Sequence, residues 1–180
     1  MRILVVNNGS LYNNQLLCFL FNKKSNFVVL PYFKSLEVVD KFDSFILTGR
    51  QHNNKLMNVI NSKIIYHSIS YDKSLFGICY GAEILALVLG GTIVKMNSIK
   101  YGSENIKIIK PNPICNMASN VFKSHRYKIS KVGKLTSCLA MSKNCFYEMI
   151  QYSNSNIFGT QFHPEMTSDG LNILESFILL

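Results

Sequence analysis

A cysteine stands between two glycines at Gly77-Ile78-Cys79-Tyr80-Gly81, and this spacing is the chain's clearest chemical signal. It is G-x-C-x-G, the thiol form of the G-x-S-x-G turn that joins a strand to a helix. The apolar approach Ser74-Leu75-Phe76 reads as the strand, and the run at residues 82–89 as the helix. So tight a turn admits only small neighbours and pushes the central side chain out of the fold. A helix that starts there points the positive end of its dipole at the sulfur, an arrangement that favours thiolate over thiol. A pentapeptide alone can arise by chance, so a partner is needed.

Gly159-Thr160-Gln161-Phe162-His163-Pro164-Glu165 supplies that partner. A cysteine nucleophile requires a base to take its proton, and the base requires a third group to hold its ring. On an extended segment, residues i and i+2 point to one side, so His163 and Glu165 are expected side by side as base and orienter. Singly, each has an ordinary structural reading. Together with Cys79 they form a Cys-His-Glu set.

With these residues in view, the chain resembles the class I glutamine amidotransferases over nearly all of its 180 residues. Several segments are similar, in order, to the GMP synthetase branch of that family: Asn8-Gly9-Ser10-x-Tyr12, the elbow through Leu89-Gly90-Gly91, Tyr101-Gly102, Ser124-His125, and Cys145-x-x-Glu148. Tyr80 is closer to that branch than to anthranilate-type subunits, which usually carry leucine there. A free-standing chain of this length is similar to the amidotransferase subunit of the archaeal two-subunit type. The resemblance implies hydrolysis of glutamine to glutamate and ammonia, with ammonia passing to an acceptor on a partner. That partner is expected to be an ATP-dependent synthetase in a heterodimer or larger assembly, most simply GMP synthetase converting XMP to GMP. ATP and magnesium would bind the partner. No cofactor or metal is expected in this chain.

Further site residues follow from the resemblance, and several depart from the family pattern. Gly49 belongs to the turn after the third strand, which supplies one oxyanion donor, and the amide of Tyr80 would supply the other. Arg50 stands where a glycine is usual; if the position demands positive φ, arginine is strained there. Glu83 replaces a glutamine that contacts substrate, and this carboxylate needs the ligand's ammonium, Arg50 or Arg126 as its complement. Arg126-Tyr127 replaces the usual Gly-Asp after Ser-His, beside the glutamine-holding backbone. The alternatives are a divergent or catalytically silent binding or regulatory subunit, or an amidotransferase for another acceptor such as chorismate. Arg50 and Glu83 favour the silent form, and an intact Cys79, His163 and Glu165 oppose it.

The elements that must position these groups are those of an α/β protein: an open, mostly parallel sheet flanked by helices, flavodoxin-like in the family's manner, with a smaller mixed or antiparallel strand region in the C-terminal half. Strands are expected at residues 2–6, 27–30, 44–47 and 75–78, and a helix at 11–21. Beyond Gly90-Gly91 come short strands at 92–95, 105–109, 127–131, 147–151 and 157–162, then a terminal helix at 171–180. Residues 1–180 read as a single domain. In open α/β sheets, ligands sit beyond the carboxyl ends of the strands, which would gather Gly49, Cys79 and His163.

Composition narrows the classes. The chain is 48% hydrophobic and 16% charged, which suits a packed domain and not a disordered one. No apolar run approaches the roughly 18 residues of a membrane span, and the short apolar start reads as a strand, so a cytoplasmic location is expected. Five cysteines without metal-like spacing read as reduced thiols. The net charge is +9, with Lys123, Arg126, Lys128, Lys131 and Lys134 close together. No stacking aromatic pattern accompanies them, so nucleic acid is not expected; the cluster reads as a solvated face or a docking face for an acidic partner.

Overall fold

Alternation along the first strand sets the architecture. In β1 (Arg2–Asn7), Ile3 and Val5 enter one apolar core while Leu4 and Val6 enter a second on the opposite side. Successive strand residues face opposite ways, so a strand apolar at every position must be covered on both faces. The covering helices are α1 (Asn13–Asn22) and α5 (Ser168–Ile178) on one face, through Leu16, Phe19, Leu20, Leu174 and Phe177. On the other lie α3 (Lys55–Ser70) and α4 (Tyr80–Val88), through Met57, Ile64, Ile65, Ala82 and Leu85. Each such side chain withdrawn from water stabilises the fold by about 1.5–3 kcal/mol, alanine by less. The computed structural model describes every residue from Met1 to Leu180.

One nine-stranded sheet runs through the molecule in the order β2-β1-β3-β4-β9-β8-β7-β5-β6. Its first five members are parallel: β2 (Asn26–Pro31), β1, β3 (Ser44–Leu47), β4 (Ser74–Ile78) and β9 (Ile157–Thr160). Beyond β9 the pairing turns antiparallel through β8 (Met149–Tyr152), β7 (Thr136–Met141), β5 (Thr92–Ile108) and β6 (Ser119–Lys131). The expected α/β architecture with its C-terminal antiparallel region is therefore present.

Several elements differ from the expectations. Helix α3 has no counterpart among them, although Asn54 caps it by accepting from Met57 N–H at 3.1 Å, and Met57, Ile60, Ile64 and Ile65 repeat at helical spacing. Its isoleucines suit strands equally well, which hid it. The short helix α2 (Tyr32–Ser35) and strand β7 are likewise additional to them. Helix α1 starts at Asn13 and not at residue 11, because Ser10 Oγ accepts from Tyr12 N–H at 3.2 Å and holds a turn there. The pieces at 92–95 and 105–109 belong to one 17-residue strand, β5, whose register against β6 shifts between Lys95 and Lys100. Gly102, with φ +112°, carries this strand through a conformation that other residues avoid.

Candidate active site

Cys79 occupies the step from β4 into α4 with φ 51° and ψ −101°, a conformation that costs a non-glycine residue on the order of 1–3 kcal/mol. Both flanking glycines are required by close approach. A Cβ on Gly77 would meet the backbone of Gly81 at 2.5 Å, and one on Gly81 would meet Leu47 O at 2.3 Å. The elbow is tied to its neighbour strand by Cys79 N–H donating to Thr160 O at 2.7 Å. The thiol lies 3.9 Å from Ser124 O, at the edge of β6.

His163 reaches the same place from the end of β9. Its N–H donates to Phe122 O at 2.8 Å, an isolated bridge that anchors the segment on β6. Its ring packs edge-on against Tyr12, with centroids 4.6 Å apart, and its Nδ1 meets Glu165 Oε1 at 2.8 Å. Glu165 does not lie on an extended strand, as the i, i+2 spacing alone implies. Pro164 opens a single 3-10 turn, Pro164–Met166, and that turn brings the carboxylate to the ring's Nδ1. Both side chains are buried. Burial alone would lower the His163 pKa, but the negative charge and hydrogen bonding of Cys79, followed by Glu165, raise it to about 10. The structure thus places Cys79, after β4, and the bonded His163–Glu165 pair, after the adjacent β9, at the same end of the sheet.

A cavity of about 510 Å³ opens over Cys79, lined in part by Arg50, Tyr80, Glu83, His125, Arg126 and Tyr127. Gly49 lies just behind it, against the His163 ring. Arg50 does not adopt positive φ, so the strain considered for it is absent. Its guanidinium instead stacks on Tyr80, with Cζ 4.1 Å from the ring centroid, and donates to Asn53 at 2.5 Å and Asn58 at 3.1 Å. Tyr80 in turn donates its hydroxyl to Asn58 at 2.9 Å, and burial raises its pKa. Glu83 is 4% exposed and closes no ion pair with Arg50 or Arg126. Burial pushes its carboxyl up to about 7 against the opposing pull of Arg50, Gln161 and His163. Arg126 and Tyr127 stand exposed at the rim.

Behind the site, Asn8 and Asn61 pair through their amides at 2.8 and 3.1 Å, and Asn8 also donates to Thr48 O at 3.1 Å. This buried clasp holds the turn after β3. Sequence reasoning missed both Asn58 and Asn61, because they sit on helix α3, which it also missed. The cap residue Asn54 was the signal that could have revealed them. Lys123 corrects the reading of the basic cluster: it is 2% exposed, bonded to Glu148, to Glu104 at 2.6 Å and to Ser142 at 2.9 Å. Arg126, Lys131 and Lys134 remain exposed. All five cysteines are free thiols.

A cysteine at a strained strand-to-helix turn beside a carboxylate-bonded histidine, on a sheet of this order, points to a class, and comparison with known proteins names it. Residues 4–179 match the model of the family described as glutamine amidotransferase class-I, and the chain belongs to that family. It is 29% identical over 185 residues to a subunit of the glutamine-hydrolyzing GMP synthase of Saccharolobus solfataricus, covering 99% of this chain and 97% of that one. It is 31% identical over 186 residues to the glutamine-hydrolyzing GMP synthase of Helicobacter pylori, covering 99% of this chain but 36% of that longer protein. Among solved structures, a glutamine amidotransferase of Thermotoga maritima shares the fold at TM-score 0.78 and 16% identity, covering 99% of this chain and 81% of that one. No helix is long and apolar enough to cross a membrane.

Proposed function

We propose that the chain hydrolyses glutamine to glutamate and ammonia through Cys79, His163 and Glu165, and delivers the ammonia to an ATP-dependent synthetase, GMP synthetase being the acceptor enzyme. The observation that carries this reading is the buried His163 ring, bonded to Glu165 at 2.8 Å just past the strand beside the Cys79 elbow. Likeness to the Saccharolobus solfataricus protein over the whole chain supports the choice of acceptor. ATP and magnesium belong to the partner.

In this mechanism Cys79 Sγ attacks the carboxamide carbon of glutamine, and the oxyanion takes the N–H of Tyr80, a first-turn donor that α4 cannot use itself. The turn at Gly49-Arg50 supplies the second donor. Glu165 occupies Nδ1 of His163, so Nε2 carries the mobile proton and gives it to the departing nitrogen. The carbon–nitrogen bond breaks, ammonia leaves and a thioester remains on Cys79. Water, deprotonated by Nε2, then attacks the thioester, releasing glutamate and restoring the sulfur.

A diazoketone analogue of glutamine tests the reading. Mass spectrometry is expected to find the label on Cys79, none in Cys79→Ala, and slower labelling in His163→Ala. An unlabelled Cys79 at every pH, with the synthetase present, would refute it. Co-purification from the native cell identifies the partner, and salt-sensitive binding is expected if the exposed arginine and lysines meet an acidic face.

A further inference from the structure

We infer that Asn58 of α3 is a positioning residue for the reaction: it ties the side chains of Arg50 and Tyr80 together and so fixes the spacing of the two backbone stretches that receive the oxyanion. The inference rests on the glutamine-hydrolysing reading above and names what holds its oxyanion site in shape.

The two stretches come from different elements. Tyr80 opens α4, so its N–H belongs to the first helical turn and has no partner within the helix. Gly49 and Arg50 follow β3, and neither N–H donates to a backbone carbonyl. The ladder joining β3 to β4 ends at Leu47 and Gly77, short of both stretches. Beyond it, side chains must set the distance between the turn and the start of α4.

They converge on one atom. Asn58 Oδ1 accepts from Arg50 Nη1 at 3.1 Å and from Tyr80 Oη at 2.9 Å, which uses both lone pairs of the amide oxygen. The guanidinium of Arg50 also stacks on the Tyr80 ring, with Cζ 4.1 Å from the centroid. Asn53 Oδ1 completes the cluster, accepting from Arg50 Nη1 at 2.5 Å and from Asn58 Nδ2 at 3.3 Å. Tyr80 is 3% exposed, so its bond and its share of the stack are shielded from water. Asparagine is short, and a bond it makes from a helix leaves little slack.

Helix α3 presents the whole frame. Asn54, Asn58 and Asn61 recur at i, i+4 and i+7, the spacing of one helix face. Asn54 caps the helix, and Asn61 grips Asn8, whose amide donates to Thr48 O at 3.1 Å. The turn after β3 is thus held at Thr48 through Asn61 and at Arg50 through Asn58, by a helix stiffer than the turn itself. Loss of an oxyanion donor costs about 100- to 1000-fold in kcat, and a misplacement near 1 Å about 100-fold. A clasp that sets this spacing therefore acts on turnover more than on substrate binding.

The test measures glutamine turnover with the synthetase bound, expressed per Cys79 that the diazoketone labels, so that unfolded protein is not counted. Asn58→Leu is expected to lower kcat about 10- to 100-fold while KM changes less than about 3-fold. Asn58→Asp keeps an oxygen that accepts from both partners and should recover kcat to within about 3-fold of the parent. Tyr80→Phe loses one bond but keeps the stack, and should lower kcat about 3- to 10-fold. The double variant Asn58→Leu, Tyr80→Phe should be no slower than Asn58→Leu alone, because the hydroxyl has already lost its acceptor. Unchanged kcat per labelled site in Asn58→Leu, an aspartate no better than leucine, or losses that multiply in the double variant would overturn the inference. If Asn58→Leu does not fold, an unchanged kcat in Tyr80→Phe overturns it instead. These outcomes leave the glutaminase reading intact, since the parent complex still labels and turns over. A parent complex that does neither refutes that reading, and the inference with it.

Discussion

Gly49 and His163 interlock: a methyl group built on Gly49 would come within 2.9 Å of the imidazole Cε1. The glycine is needed because the ring fills the space a side chain would take. Its φ is not positive, so alanine there meets no backbone strain and acts through the ring alone. Gly49→Ala is expected to displace the base and lower kcat for glutamine about 10- to 100-fold while the protein remains folded. Steady-state kinetics beside a thermal melt separates the two effects.

His163 should titrate far above an ordinary histidine. Burial lowers its pKa, but the charges of Cys79 and Glu165 outweigh burial and raise it to about 10. Histidine-labelled NMR is therefore expected to show a ring that stays protonated well past neutrality. Cys79→Ala removes the largest upward influence, so the midpoint should fall. An unchanged midpoint would mean that the sulfur and the ring do not interact.

Glu83 should make the fold less stable as the pH rises. Its folded pKa is about 7 against an ordinary 4.5, so between those values the folded state keeps a proton that the unfolded chain releases. Stability is full below pH 4.5 and is lost as the pH climbs through 7. Glu83→Gln lacks this loss. Urea unfolding should find the variant equal to the parent at low pH and more stable at pH 8, by an amount on the order of 3 kcal/mol at most.

Lys123 should be worth more to the fold than a surface lysine. Its ammonium joins Glu148, Glu104 and Ser142, and Glu148 is wholly buried. Lys123→Met strands the Glu148 charge and is expected to cost about 3–5 kcal/mol. The double variant Lys123→Met, Glu148→Gln should recover part of this loss in the same denaturation assay. Equal losses in the single and double variants would show that charge is not the cause.

The elbow and the first strands were legible because local chemistry determines them. Two glycines around Cys79 leave few alternatives, and short, mostly apolar runs at 3–6, 44–47 and 75–78 suit buried parallel strands. Helix α3 was not legible, since its isoleucines are ambiguous between helix and strand, and with it Asn58 and Asn61 were missed. The pairing of His163 with Glu165 was anticipated for a reason the structure replaces: a proline-led 3-10 turn, not an extended segment. Lys123 looked like surface charge because its partners Glu104 and Glu148 are 19 and 25 residues distant along the chain. Side-chain partners so remote leave no local mark. The same holds for Arg50, whose resting place on Tyr80 depends on two asparagines around α3.

Strand β9 is the last strand of the chain, yet it lies in the middle of the sheet, between β4 and β8. During synthesis, β4 and its elbow emerge long before the segment that will lie beside them. Until residues 157–165 arrive, the sheet has an open slot and the thiol lacks its proposed base. Closing the slot joins the two halves of the sheet and brings His163 to the elbow in one event, so on the proposed mechanism a nascent chain is inert toward glutamine until residues 157–165 have emerged.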